Sequence, residues 1–243
     1  MGLFYNLGQW AGPKLRKSKW VWSSMTGDEA DILAAEAEVG ADLAAAVLNQ
    51  LGRCDDPAMR KLVADIGATL APRVANKQRK FVYHAVEADE PNAFALPGGY
   101  VLISRPLIEL TGGSADEIAF VLAHEMAHVI KRDPMQRIMT DAALNSAMRV
   151  TPLRGVVGGW IKSHGLTLLK SAYSQDAELM ADKLGTRLAQ AAGYDARAGI
   201  RMLSRLKEFT GAPDGQPLGS YFQSHPPFDV RTRSIEDYLR SRG

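Results

Sequence analysis

Two histidines four residues apart, with a glutamate beside the first, sit inside an otherwise apolar run. This feature constrains the chain more than any other. The run is Ile118-Ala119-Phe120-Val121-Leu122-Ala123-His124-Glu125-Met126-Ala127-His128-Val129-Ile130. Ahead of it, Ser114 and Glu117 follow Gly112-Gly113 with the spacing of a capping box, which predicts a helix with a defined start. Residues four apart stack on one helical face. Two imidazoles placed so can share a metal ion, and Glu125 can reach a water on that ion. This is the HExxH logic of a zinc hydrolase, with two histidine ligands and a glutamate that acts as base. The bland alternative is a helix carrying two surface histidines and a salt-bridging glutamate. The apolar flanks argue against it, because burying two histidines and a carboxylate without a purpose is expensive.

A chain of 243 residues holds one large domain, or a domain with an appendage. Its 46% hydrophobic and 23% charged residues are ordinary for a globular protein, and a net charge of +2 gives no argument for nucleic acid. The one cysteine, Cys54, excludes an internal disulfide framework and a cysteine-based zinc site. The start of the chain lacks the basic and apolar segments of a secretory signal, and no stretch reaches the roughly 18 apolar residues of a spanning helix. The expectation is a cytoplasmic protein.

Residues 1–25 form a basic arm. Lys14, Arg16, Lys17 and Lys19 are interleaved with Trp10, Trp20 and Trp22, and no acid precedes Asp28. Such a mixture suits a membrane surface, so peripheral membrane contact is one reading. The other, preferred because Pro13 breaks any long amphipathic helix, docks the tryptophans on the chain's own domain over 26–243. Thr26 and Glu29 make a second capping box, opening an Ala-rich helix that closes at Gly52. Asp56-Pro57 starts a helix reaching about Leu70. Lys80–Val86 and Tyr100–Ser104 read as strands, with His84 a structural strand residue, and Asn92–Leu96 as a short extended run stopped by Pro97-Gly98-Gly99. Pro106–Leu110 is a short helix, and Asp133-Pro134 ends the motif helix and caps the next. The Gly-rich stretch 150–169 fits a mobile lid, a lipid-facing loop or an ordinary helical connection. Ser171–Gln190 reads as helix, another starts at Asp195, a loop covers Gly211–Ser220, and Asp229–Arg240 is a terminal helix.

A catalytic zinc takes three protein ligands and keeps one open position. The metzincin pattern for the third ligand is excluded, because Lys131 and Pro134 stand where it needs glycine and histidine. A downstream histidine or carboxylate remains. Glu178 and Asp182 lie four apart on one predicted helix among Ala177, Leu179, Met180 and Ala181, neighbours that disfavour a solvated acidic face. Glu178 as ligand and Asp182 as acceptor for a ligand histidine would complete a His2Glu site.

HExxH followed by a distant E-x-x-x-D resembles the gluzincin metallopeptidases. More closely, the chain resembles metallopeptidase family forty-eight, the HtpX-like and CAAX prenyl protease type, in its soluble bacterial branch. Three further stretches carry the likeness: Asn92-Ala93-Phe94-Ala95 with Pro97-Gly98-Gly99, Glu178-Leu179-Met180-Ala181-Asp182, and Ser224-His225-Pro226-Pro227 with Arg231 six residues after the histidine. The chain departs from many relatives at Asp133, where they carry histidine, and lacks the membrane-spanning helices of HtpX.

The resemblance implies an α+β, mostly helical zincin with a small sheet beside the motif helix. It implies one Zn2+ on His124, His128 and Glu178, with Glu125 as base. It makes Asn92, Ala93, Phe94 and Ala95 an edge strand to which a substrate peptide adds by main-chain hydrogen bonds. His225 would stabilise the oxyanion or occupy the open metal position in a latent form, and Arg231 would support the oxyanion or orient the site. The expected function is a zinc endopeptidase acting on extended or unfolded polypeptide, in protein quality control. The rivals are a non-catalytic or latent zinc-bound chaperone or adaptor, and a peripheral membrane protease.

Overall fold

The computed structural model describes residues 28–144, 173–211 and 226–242. The 1–25 arm, most of the Gly-rich stretch's surroundings with the stretch itself, the loop after Gly211, and Ser224 and His225 lie outside the described residues.

Helices dominate. Helix α1 spans Glu29–Leu51, α2 Pro57–Leu70, α3 Arg105–Leu110, α4 Ala115–Lys131, α5 Asp133–Leu144, α6 Gln175–Ala191, α7 Ala198–Gly211 and α8 Phe228–Arg240. The strands are β1 (Val82–Val86), β2 (Ala93–Leu96) and β3 (Tyr100–Ser104). They form one sheet in the order β1-β3-β2. Strand β1 runs parallel to β3, with Tyr83 opposite Val101, and β2 runs antiparallel to it, with Phe94 opposite Leu102. The fold is therefore α+β and mostly helical, as expected.

Local chemistry sets the helix starts. Asp56 Oδ1 accepts from the Ala58 and Met59 amides, with Pro57 in the first turn where no amide is needed. Ser174 Oγ caps α6 through the Ala177 amide. Of the two capping boxes expected from the sequence, Thr26 of the first lies outside the described residues, and the second is only half formed. At α1 the cap is Asp28, which accepts from the Asp31 amide, and the Glu29 carboxylate accepts from Asn76 Nδ2. At α4, Ser114 Oγ accepts from the Glu117 amide, but the Glu117 carboxylate is buried against Arg201 and Arg205 of α7. At α4 a long-range ion pair, buried on the Glu117 side, takes the carboxylate from the local return bond.

Helix α4 is buried on every side from Glu117 to Val129, the signature of a central helix. Sheet, α2, α7 and α8 pack around it in one apolar cluster that includes Ile103, Ile66, Ile118, Leu122, Leu203 and Ile235. Helix α1 closes the other face of the sheet with Val39, Leu43 and Val47. The Pro97-Gly98-Gly99 turn is what lets α1 approach. Gly98 has φ +73°, and a Cβ there would stand 2.5 Å from the Ala37 Cα.

One glycine governs the site itself. Gly185, inside α6, faces the backbone of α4, and a Cβ on it would lie 2.9 Å from the His124 amide nitrogen. Two effects oppose each other in Gly185→Ala. Helix propensity favours alanine by about 1 kcal/mol, whereas overpacking against immovable backbone costs about 1–3 kcal/mol. The steric term wins, so the variant should unfold at lower denaturant and hold metal more weakly than wild type. An unfolding midpoint higher than wild type would show that the helices have room to part.

Candidate metal centre

The site is where α4 and α6 cross. His124 and His128 stand one turn apart on α4, and α6 brings Glu178 up to them. The His124 and His128 Nε2 atoms are 3.2 Å apart. Glu178 Oε2 lies 3.5 Å from His124 Nε2, and Oε1 lies 3.5 Å from His128 Nε2. All three side chains are buried. Among the described residues they are the group of His, Cys, Asp and Glu side chains that could hold a metal ion, with candidate ligand atoms within 4.8 Å of one another.

Each imidazole is fixed from behind. His124 Nδ1 donates to Asp182 Oδ1 at 3.0 Å, and His128 Nδ1 donates to Asp133 Oδ2 at 2.8 Å. An ionised carboxylate only accepts, so each Nδ1 carries the proton and each Nε2 is turned toward the other. The Tyr173 ring stacks on His128, with centroids 4.1 Å apart, and the Arg137 guanidinium lies 3.7 Å over that tyrosine ring.

Asp182 is fully buried and is itself held by Arg231. The Arg231 Nε and Nη2 donate to its two oxygens at 2.9 and 2.6 Å. Burial alone would raise the Asp182 pKa, but the guanidinium outweighs it and, with His124, holds the carboxyl at about 2. Burial would likewise lower His124. Asp182 and Glu178 outweigh that and push it up to about 9, and His128 is raised by Asp133 and Glu178 against the same penalty. The carboxyl groups at the front and back of His124 thus favour positive charge between them, which is what a bound cation would supply.

The geometry brings together His124, Glu125, His128, Glu178, Asp182 and Arg231. Glu125 is buried and lines a cavity with His124, Asn92 and Ala93. Ala93, Phe94 and Ala95 lie on β2, which has β3 on one side and no strand on the other among the described residues. Asn92 precedes them, tied to β3 by paired 2.8 Å bonds: its amide donates to Ser104 Oγ, and its carbonyl accepts from the Ser104 amide.

Three residues that matter here escaped sequence reasoning in this role. Asp133 read only as a helix cap. It reaches His128 because Arg132, at φ +67°, turns the chain back at the end of α4. Gly185 carried a signal, since a glycine inside a helical pattern often marks close packing. Tyr173 carried none.

The sequence is 30% identical to the mitochondrial metalloendopeptidase OMA1 of Schizosaccharomyces pombe over 164 residues, 66% of this chain and 47% of that protein. It is 29% identical to a putative beta-barrel assembly-enhancing protease of Vibrio cholerae over 196 residues, 75% of this chain and 40% of that protein. It is 26% identical to the beta-barrel assembly-enhancing protease of Escherichia coli K12 over 164 residues, 63% of this chain and 33% of that protein. The chain thus spans less than half the length of these relatives. The sequence model of peptidase family M48 matches residues 57–239, which run from the first residue of α2 almost to the end of α8 and contain every residue of the metal cluster; the chain belongs to this family.

Proposed function

We propose that the protein is a zinc-dependent endopeptidase that hydrolyses extended or unfolded polypeptide, with its catalytic domain over 26–243. The observation that carries this is the buried His124–His128–Glu178 cluster beside Glu125. The donor set fits the ion. Two nitrogens each about 2.0–2.1 Å from one tetrahedral Zn2+ stand about 3.3 Å apart, and the two Nε2 atoms are separated by 3.2 Å.

His124, His128 and Glu178 would hold the ion. When bound, Zn2+ supplies Lewis-acid polarisation and brings the pKa of a water toward neutrality. Glu125 accepts the proton of the attacking water and delivers it to the leaving amine. Asp182 and Asp133 keep the imidazoles in the Nδ1–H form. Arg231 acts through Asp182, the orienting one of the two roles the sequence allowed it. His225 keeps the oxyanion role that the sequence resemblance alone gives it. Asn92, Ala93, Phe94 and Ala95 would pair with the substrate backbone along the edge of β2. That relatives are named metalloendopeptidases and beta-barrel assembly-enhancing proteases supports a role in protein quality control, the process proposed here. No described helix is long and apolar enough to cross a membrane.

The test is direct. The zinc-loaded chain should fragment unfolded casein, lose that activity under a chelator, and regain it on adding one equivalent of Zn2+. Cleavage that survives metal removal would sink the reading.

Zinc uptake should also depend on pH. In the metal-free fold His124 has its pKa raised from the usual 6.5 to about 9. Its protonation therefore stabilises the metal-free protein fully below pH 6.5, and this contribution is lost as pH climbs to 9. Zinc competes with that proton, so affinity should rise across the same window, with protons released on binding. Isothermal titration in buffers of different ionisation enthalpy reads both quantities. A flat affinity between pH 6.5 and 9 would contradict the assignment.

A further inference from the structure

Helix α4 closes on a residue in an uncommon conformation. Among the described residues, Arg132 is the one non-glycine with positive φ, at φ +67° and ψ +18°. Helices often close on a left-handed residue, and glycine usually fills that position because a Cβ strains it. A larger residue keeps this conformation only where its surroundings hold it, and such residues gather at functional sites.

The surroundings here are specific. The Arg132 amide donates to the His128 and Val129 carbonyls, and its own carbonyl accepts from the Met135 and Gln136 amides. One residue thus ends α4 and starts α5. Its Nε donates to Glu36 Oε1, from α1. The other oxygen, Glu36 Oε2, accepts from Arg79 Nη1 at 3.1 Å, in the segment leading into β1. Glu36 is 1% exposed, and with both oxygens held its carboxylate is fixed in place. Its helix is fixed too. Gly40 lies one turn on, on the same face, and a Cβ there would stand 1.8 Å from the Pro97 carbonyl oxygen. Met135 of α5 is buried with Val39 and Leu43 of α1.

A glycine at 132 with an apolar residue at 36 would make the same turn without burying a carboxylate. What the charged side chains add is position. Asp133 follows Arg132 directly, and its carboxylate stands 2.8 Å from His128 Nδ1. Any departure of Arg132 from the left-handed region redirects the chain at that point and carries Asp133 off the imidazole. We propose that Glu36 is a positioning residue for the metal centre: it fixes the Arg132 turn, and through that turn it keeps Asp133 behind His128. This rests on His128 being the ligand proposed above. His124 is oriented from elsewhere, by Asp182 and Arg231, so a break in this relay disturbs one imidazole and spares the other.

The test compares wild type with Arg132→Gly, Glu36→Gln and the double variant, all in the full chain. Arg132→Gly is decisive, because glycine suits the left-handed turn and Glu36 keeps Arg79. If Arg132 served the turn alone, this variant would bind zinc as wild type does. The relay instead predicts zinc held about 10–100-fold more weakly, the loss that follows when the partner of a ligand histidine is disturbed. Glu36→Gln should weaken zinc likewise, and the double variant should be no worse than the weaker single one, since both changes cut one link.

The metal-free protein supplies a second readout. An imidazole N–H hydrogen-bonded to a carboxylate in a buried site exchanges slowly with water and gives its own proton NMR signal. In both single variants the His128 Nδ1–H signal should broaden or vanish while that of His124 persists, a selectivity that general loosening of the fold would not produce. Zinc affinity within about twofold of wild type in either variant, retention of the His128 signal, loss of both signals together, or losses that multiply in the double variant would overturn the relay. A wild type that takes no zinc, with the His128 signal alone lost in the variants, would sink the metal reading and leave the relay standing.

Discussion

Glu125→Gln should abolish casein cleavage while leaving one zinc per chain. Glutamine has the shape of glutamate, so the packing of α4 around this buried position persists. It cannot accept a proton from water or hand one to the leaving amine. General acid–base catalysis contributes about 10²–10⁴-fold, and the rate should fall by that factor. His124, His128 and Glu178 keep their mutual distances, because none of them is held by Glu125 through a bond the structure shows. Zinc content by atomic emission and cleavage by gel densitometry give the two halves of the result. A variant that loses zinc would make Glu125 a ligand or a structural residue, and one with full activity would remove it from the chemistry.

Arg231→Ala should be among the most destabilising single changes in the chain. Asp182 has no exposed surface and Arg231 is 3% exposed, so truncation leaves a buried carboxylate with His124 as its remaining charged neighbour. Breaking such a pair costs about 3–5 kcal/mol, against at most about 1 kcal/mol for an exposed one. The metal site should suffer as well, since Asp182 holds His124, and loss of such partners lowers metal affinity about 10–100-fold. Urea unfolding of the metal-free protein measures the first effect and zinc titration the second. Acid offers an independent check. The Asp182 carboxyl is depressed from 3.8 to about 2, so its contribution is present above pH 4 and lost as pH falls toward 2. The variant should lose less stability than wild type across that window. A destabilisation under about 1 kcal/mol would mean that solvent reaches the pair.

The sequence was most informative where the determinant is local. Strand β3 spans the residues its β-branched run marks, and α2 begins at Pro57 behind Asp56 because that dipeptide caps and opens a helix by itself. The E-x-x-x-D spacing put Glu178 and Asp182 on one face of α6, and the structure finds that face turned to the histidines. Reading became unreliable where a distant partner competes for the same group. Glu117 left its capping box for Arg201 and Arg205. Asp133 was assigned to a helix start, yet its carboxylate serves His128. In each case a residue with an ordinary local use is taken by a stronger contact that sequence spacing cannot show.

The sequence alone therefore determined the chemistry on offer: two imidazoles and a base on one helix, two carboxylates on another, and apolar flanks that force both inside. Periodicity and capping act within a few residues, so they survive translation from sequence to structure. The tertiary fold decided how far apart those groups stand and what each is bonded to. It set the 3.2 Å between the two Nε2 atoms, the carboxylate behind each imidazole, and the Arg231 pair that keeps Asp182 ionised. These depend on two helix backbones meeting at Gly185, where the lack of a side chain allows an approach that a Cβ would block.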